Sequence, residues 1–382
     1  MQEKREYIAK TFLGLEEILA EEINQLGVDH LQVLNRAVKF RGDKAMLYRA
    51  NLKLRTALRI LVPFAQFRCT SEKELYEAIY EHPWEQHFNL YNTFLINGVV
   101  NSRNFKHSHY AALKAKDAIV DRFRDKYHRR PSVSKDNPDF RINLHISRDQ
   151  CNLSLDSSGE PLYKRGYKAR NVYAPLNEVL AAGLIKLTGW NKTSTFIDPM
   201  CGSATLPIEA ALMAAGIAPG TFRDQFGFMN WHDFDHVLFQ EIKNKNIHKP
   251  KHTPIIQGCD ISGQAIEASR ANREKAGLTR HIELFERSMA EHDPPGENEG
   301  LVIINPPYGE KLKETDITAF YKNMGDILKK KYAGYEAWLF SSNLKALKQV
   351  GLHASRKYTL YNGPLECKFQ RYSIYEGSLK KK

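Results

Sequence analysis

Phe196-Ile-Asp-Pro-Met-Cys-Gly-Ser-Ala-Thr-Leu206 is the stretch that decides the fold. Thr195-Phe-Ile reads as a short buried strand with Asp198 at its end, Pro199 to Ser203 as a turn, and Leu206 to Ala215 as an apolar helix. Strand, glycine turn and helix in that order predict a βα unit of an open α/β sheet, whose ligands sit outside the carboxyl ends of the strands. Gly202 lets the backbone approach a ligand closely. The helix N-terminus, with Ser203 and Thr205 near its start, favours a carboxylate, and Asp198 would pair with an ammonium group. The next strand, Pro254-Ile-Ile-Gln-Gly-Cys-Asp260, ends in an acid placed for a ribose diol. Alone, the glycine turn is a weak signal, and Asp260 would equally cap a helix starting near Ser262. The ordered series carries the reading.

Working outward, Leu301-Val-Ile-Ile runs straight into Asn305-Pro306-Pro307-Tyr308. By itself this tetrapeptide is also a rigid turn after a strand. Opposite the glycine turn, it predicts chemistry at a planar exocyclic amine. The lone pair of such an amine is delocalised into its ring, so the nitrogen is a poor nucleophile. Two acceptors on its N–H groups would orient it and drain charge as a methyl group arrives. Asn305 supplies a side-chain carbonyl, and Pro306 a backbone carbonyl with no N–H of its own to compete. Pro307 stiffens the loop, and Tyr308 offers a ring for a flipped base. Positioning and electrostatics suffice, with no covalent intermediate. The two motifs together predict methyl transfer from S-adenosylmethionine.

With these motifs the chain resembles the THUMP-containing guanine-N2 methyltransferases of ribosomal RNA, the RlmL-type family, over nearly its whole length. Further carrying segments are Ala9-Lys-Thr-Phe-Leu-Gly-Leu-Glu-Glu-Ile-Leu, Lys114-Ala-Lys-Asp-Ala-Ile-Val-Asp, Arg165-Gly-Tyr, Ala174-Pro-Leu-Asn-Glu-Val-Leu-Ala-Ala and Gly363-Pro-Leu-Glu-Cys. The resemblance implies a Rossmann-like class I methyltransferase domain preceded by an α+β N-terminal unit and a THUMP RNA-binding domain. It also implies S-adenosyl-L-methionine as cofactor and N2-methylguanosine in 23S rRNA as product. Asp198, Pro199, Cys201, Gly202, Ser203 and Thr205 would line the cofactor, Asp260 would hold its ribose, and the segment around Pro175 and Glu178 would cover its methionine end. Asn305, Pro306, Pro307 and Tyr308 would hold the guanine amine. The chain departs from the family pattern at three places. Ala204 stands where Gly is usual, Asn177 and Val179 flank Glu178 where a basic residue and Thr are usual, and Glu286-Arg-Ser-Met-Ala-Glu replaces a stretch that often carries an Asp for the adenine. Ser288 is the candidate adenine partner left. The second methyltransferase fused to longer members is not expected here.

The net charge of +12 over 382 residues makes a polyanionic partner plausible, although many basic proteins bind none. Between Arg103 and Arg148, twelve Lys and Arg stand against five Asp. Arg103, Lys106, Lys114, Lys116 and Arg122 fall in or beside one predicted helix, interleaved with aromatic residues, which suits phosphate contacts. Arg165 and Lys168 extend this candidate RNA-binding set. His107 and His109 lack neighbouring acids or cysteines, so no metal is expected. The cysteines, Cys69, Cys151, Cys201, Cys259 and Cys367, form no Cys-x-x-Cys pair. No apolar run approaches the roughly 20 residues of a membrane span, and the charged start is unlike a signal peptide. A cytoplasmic location is expected.

Three segments are predicted: a ferredoxin-like α+β unit over 1–63, a THUMP domain over 64–159, and the methyltransferase domain over 162–382, with Ser157-Ser-Gly-Glu-Pro as linker. The first holds a strand from Tyr7, a helix over Leu15–Leu26, one strand near Leu31–Phe40 and a helix over Ala45–Leu54. From Leu162, strands and helices alternate as a parallel sheet requires, with strands near Phe196, Ile255, Ile282, Leu301, Glu336 and Phe369. The aromatic-rich insertion from Ala218 to Lys251 either shapes the substrate entrance or packs on the surface. The Lys380-Lys-Lys tail is expected to be disordered. Alternative readings are a tRNA guanine-N2 methyltransferase, a DNA adenine-N6 methyltransferase, and a non-catalytic RNA-binding assembly factor.

Overall fold

In the computed structural model, which describes residues 4–170, 175–245, 254–296, 299–308 and 314–375, strand alternation sets the first sheet. Along β1 (Arg5–Lys10), Tyr7 and Ala9 are buried while Glu6, Ile8 and Lys10 lie on the opposite, half-exposed face. The chain continues through α1 (Glu16–Gln25), β2 (Leu31–Leu34), β3 (Ala37–Gly42), α2 (Lys44–Lys53), β4 (Arg59–Arg68), α3 (Glu72–Glu81) and β5 (Thr93–Asn101). It then forms α4 (Ser108–Tyr127), β6 (Ser132–Val133), β7 (Phe140–Ser147) and β8 (Gln150–Asp156). All eight strands join one sheet, in the order β2-β3-β1-β4-β8-β7-β5-β6. β4 crosses the expected boundary at residue 63: residues 59–61 pair with β1 and residues 61–68 with β8.

The single strand expected near Leu31–Phe40 is a hairpin, β2 and β3, turning at Asn35 and Arg36, with Arg36 at φ 55°. Two consecutive turn residues inside an alternating run are easily read through. Of the insertion 218–251, residues 223–244 cluster with this first unit. Tyr48 on α2 stacks near Phe228 with ring centroids 4.6 Å apart, meets Phe239 edge-on at 5.7 Å, and accepts a hydrogen bond from the Asp235 backbone N–H. The Arg223 guanidinium donates to the carbonyls of Ser158, Glu160 and Pro161. Residues 223–244 thus pack through their aromatic side chains on the first unit.

The second unit alternates helix and strand: α5 (Glu178–Thr188), β9 (Thr195–Asp198) and α6 (Thr205–Ala214). After α7 (His236–Asn244), which belongs to the first unit, come β10 (Ile256–Asp260), α8 (Gly263–Lys275), β11 (Glu283–Glu286) and β12 (Gly300–Ile304). α9 (Glu314–Lys331), β13 (Tyr335–Ser341), α10 (Leu344–Leu347), β14 (Arg356–Asn362) and β15 (Leu365–Ser373) complete it. The sheet order is β11-β10-β9-β12-β13-β15-β14, parallel from β11 to β13, with β15 antiparallel to β13. Both faces are covered, as in parallel sheets generally: Phe196, Leu301 and Ile303 enter one core, Ile197, Val302 and Ile304 another. β14 has no counterpart among the strands expected from the sequence. The residues 380–382, expected to be disordered, and Ala174 lie outside the described residues.

Candidate active site

Strand order reverses between β9 and β12, because the chain builds outward through β10 and β11 before returning. Such a switch point opens a crevice at the strand ends. A cavity of about 320 Å³ lies there, lined among others by Pro199 after β9, Asp260 and Ile261 after β10, Ser288 and Met289 after β11, and Pro307 after β12. The two sequence motifs therefore border one space.

The glycine turn is locked by backbone bonds. Cys201 N–H donates to the Cys259 carbonyl at 2.8 Å, and Gly202 N–H to Asp260 Oδ2 at 2.9 Å. Asp260 Oδ1 accepts from Ser262 N–H, whose hydroxyl in turn caps α8. A side chain at Gly258 would meet Cys201 Cβ and Sγ at 3.2 Å, so this glycine lets the turn seat against β10. Gly202 and Ala204 both adopt left-handed conformations, φ 54° and 60°. For Ala204 that costs about 1 kcal/mol. Its methyl group is fully buried in the core, which returns about 0.8 kcal/mol and explains how alanine is tolerated.

Asp198 is 2% exposed and holds Met200 N–H through Oδ1 at 3.1 Å. Burial, helped by the nearby Asp260 charge, pushes its carboxyl up to about 8, and none of the groups acting on it is a cation. It is a buried acid short of a positive partner. The buried Thr205 hydroxyl has no hydrogen-bond partner among the described residues, and the α6 N-terminus carries no side-chain cap. The Cys201 thiol is pushed well up by burial and the Asp198 charge, so it packs and does not attack. Ser288, the candidate adenine partner, lines the cavity while its hydroxyl donates to Glu291 at 2.8 Å.

On the facing loop, the Tyr308 hydroxyl donates to Asn305 Oδ1 at 2.7 Å. Asn343 Nδ2 donates to the Tyr308 carbonyl at 3.1 Å, Asn362 Nδ2 to the Tyr308 hydroxyl at 3.5 Å, and the Tyr321 hydroxyl to the Pro307 carbonyl at 3.4 Å. Pro306 is buried and Pro307 exposed. These three supports were missed in the sequence. Asn362 alone had a signal, since Asn362-Gly363 is a hairpin dipeptide and closes the β14–β15 turn.

Several candidate RNA contacts are placed elsewhere. Arg165 is 2% exposed and faces Glu209, to which the Tyr167 hydroxyl also donates at 3.0 Å. Lys168 pairs with buried Glu178 at 3.1 Å, and Asn177 caps α5 beside half-buried Pro175. Arg165 and Lys168 are thus committed to buried carboxylates and not to a surface. Arg122 grips Glu85 through two bonds of 3.0 and 2.9 Å and the carbonyls of Tyr80 and Glu81, tying α4 to the preceding segment. Lys116 contacts Asp117, and Lys114 lies over the Tyr110 ring. Arg103 and Lys106, in the loop before α4, are exposed.

A doubly covered sheet of this order, with an acid-bearing glycine turn and an Asn-Pro-Pro-Tyr loop on one cavity, defines a Rossmann-like methyltransferase domain. The RMKL-like methyltransferase domain family matches residues 165–371, the THUMP domain family residues 69–156, and the RlmL ferredoxin-like domain family residues 6–61. The chain belongs to the RMKL-like methyltransferase family. It is 38% identical, over 97% of its own length and 97% of the other chain, to a putative RNA methyltransferase of Synechocystis. It is 39% identical, over 95% of its length, to a ribosomal RNA large subunit methyltransferase K/L of Syntrophotalea carbinolica, of which it covers 53%. The chain thus spans about half the length of the curated K/L relatives it matches. A putative methyltransferase solved with SAH shares 28% identity, full coverage of both chains and a TM-score of 0.85. Among the described residues, no helix is long and apolar enough to cross a membrane, and no group of three potential metal ligands occurs.

Proposed function

We propose that the protein methylates the exocyclic N2 amine of a guanosine in 23S rRNA, using S-adenosylmethionine, with the target base flipped into the pocket at Asn305–Tyr308. The observation that carries this is the shared cavity, with Pro199 and Asp260 on one side and Pro307 on the other. The residues present fit the cofactor. Asp198 is a buried acid without a cation, suited to an ammonium; the uncapped α6 N-terminus suits a carboxylate. Asp260 suits ribose hydroxyls, while Ile261 and Met289 give apolar walls for a ring. When bound, the cofactor supplies an electrophilic methyl group. Asn305 Oδ1 and the Pro306 carbonyl accept the amine N–H groups, aim the nitrogen and take up its growing positive charge. Tyr308, held from three sides, stacks on the base.

Radiolabelled S-adenosylmethionine incubated with unmodified 23S rRNA, bulk tRNA and DNA, followed by nucleoside mass spectrometry, tests the reading. N2-methylguanosine in 23S rRNA alone is the expected product. The same nucleoside in tRNA would move the substrate, N6-methyladenine in DNA would overturn the base, and cofactor binding without any product would leave an assembly intermediate to be tried.

A further inference from the structure

The eight-stranded sheet has one face under α3 and α4, where Ile142, Leu144, Ile146, Cys151 and Leu153 are buried. The alternate residues face the other way, and on β7 and β8 they are Asn143, His145, Asn152 and Ser154. Register brings them together: Asn143 opposes Ser154, His145 opposes Asn152, and Asn152 opposes Gln66 on β4. Further along, Ile8 of β1 sits between Lys39 and Leu61. A groove of about 510 Å³ runs over this face, with Lys10, Lys39, Phe64, Asn143, His145 and Asn152 among its lining.

Four features set this face apart from an ordinary solvated sheet. Asparagine is depleted in strands, yet two occupy interior strands here, where Thr or Val would pack better. The amides of Gln66, Asn143 and Asn152 make no hydrogen bond among the described residues, so their donors and acceptors are presented outward. Positive charge is added by Lys10, which has no ion-pair partner among the described residues, and by Lys39, which shares its charge with Glu6 at 2.8 Å. Phe64, at the bulge in β4, offers a ring edge or face, backed by His87 at 4.5 Å and Trp84 at 5.6 Å.

We propose that this groove seats single-stranded RNA, with the amides of Gln66, Asn143 and Asn152 reading base edges, Phe64 and His145 contacting base faces, and Lys10 and Lys39 meeting phosphates. Amide side chains match the donor–acceptor pairs of bases that are not already paired, and RNA sequence is read mostly in such unpaired segments. Desolvation and Lys10 hold His145 toward its neutral form, which keeps it a ring and a hydrogen-bonding group more than a charge. Protein–protein interface cores are depleted of charged residues, whereas Lys10 and Lys39 both line this groove. The proposal rests on RNA being the substrate and adds a second place, on the sheet of the first unit, where that RNA is read.

The test is fluorescence anisotropy with labelled RNA oligonucleotides tiling unmodified 23S rRNA, single-stranded and annealed to complements, run beside methyl transfer to the intact rRNA. Asn143→Ala with Asn152→Ala should weaken single-strand binding at least about tenfold with the salt slope unchanged, because the groups removed are uncharged. Lys10→Gln should instead shrink that slope by about 0.7. Melting temperature and S-adenosylmethionine affinity serve as the folding control, with Asn143→Ser and Asn152→Ser as a milder pair. Unchanged affinity in folded variants that still methylate rRNA would overturn the groove and leave the substrate reading intact. Equal losses on duplex and single strand would overturn base reading. A wild-type protein that neither binds nor methylates RNA would overturn both.

Discussion

The hydroxyl of Tyr308 donates a hydrogen bond to Oδ1 of Asn305, 2.7 Å away, so the acceptor proposed for a substrate amine already holds a hydrogen bond of the kind it would make to substrate. The side-chain carbonyl is thereby fixed in direction before any base arrives. Asn305→Ala should lower kcat by about 100-fold or more, as for loss of one oriented polar group in a closed site, while cofactor affinity stays nearly unchanged. Tyr308→Phe keeps the ring and should cost far less in kcat. Parallel loss of turnover and cofactor binding in Asn305→Ala, measured by single-turnover kinetics and calorimetry, would make the loop structural instead.

Asp198 gives a pH signature. Its folded carboxyl is raised from 3.8 to about 8, so the cofactor-free fold holds that proton more tightly than the unfolded chain. Its contribution to stability is full below pH 3.8 and is lost as pH rises toward 8. The cofactor-free protein should therefore lose melting temperature across this window relative to Asp198→Asn, which lacks the titrating group. Stabilisation by added S-adenosylmethionine should grow across the same window, since an ammonium favours the ionised acid. Matching pH profiles for the two proteins would remove Asp198 from the cofactor site.

Arg165→Ala should unfold the protein more readily without a specific effect on RNA. Removing one member of a fully buried ion pair typically costs about 3–5 kcal/mol, and both Arg165 and Glu209 are buried. Denaturant titration reads the loss. A variant of native stability with weakened RNA binding would return Arg165 to the RNA path.

The loop before α4 should behave oppositely. Arg103→Glu with Lys106→Glu exchanges exposed cations, so stability should move by less than about 0.5 kcal/mol. The salt dependence of RNA binding should flatten by about 0.7 for each phosphate that is no longer neutralised. A double variant with an unchanged salt slope would exclude this loop from the RNA path. The acid side carries a related mark: Arg122 holds Glu85 down to about 2, which stabilises the fold above pH 4.5 and is lost as pH falls toward 2. Arg122→Ala should weaken that acid-side dependence, with Lys126 still holding Glu85, and leave the salt slope of RNA binding alone.

The second unit was largely legible because buried parallel strands such as Leu301–Ile304 are apolar on both faces and each ends in a turn with its own chemistry. The cavity followed from two motifs at strand ends. Pairings that join distant residues were not legible. Nothing local in Arg165 or Lys168 announces Glu209 or Glu178, so a buried and a half-buried cation read as surface charge. α4 looked like a basic face because Glu85, which neutralises Arg122 and Lys126, comes from outside the helix. The amides of Asn143 and Asn152 looked like ordinary strand residues until the register placed them diagonally across β7 and β8 on one face.

Because the single strand β4 pairs with both β1 and β8, the N-terminal strands and the THUMP strands cannot swivel against each other without breaking a ladder. From β3 through β1, β4 and β8 to β7 is four strand spacings, about 19 Å at roughly 4.8 Å each. That span sets a ruler across the sheet, and because Lys39 aligns with Leu61 of β4 and His145 with Gln66, the two residues are offset along the strands as well; an RNA that meets both, as proposed, must follow that diagonal. Recognition across this face would then select by backbone path length as much as by base identity.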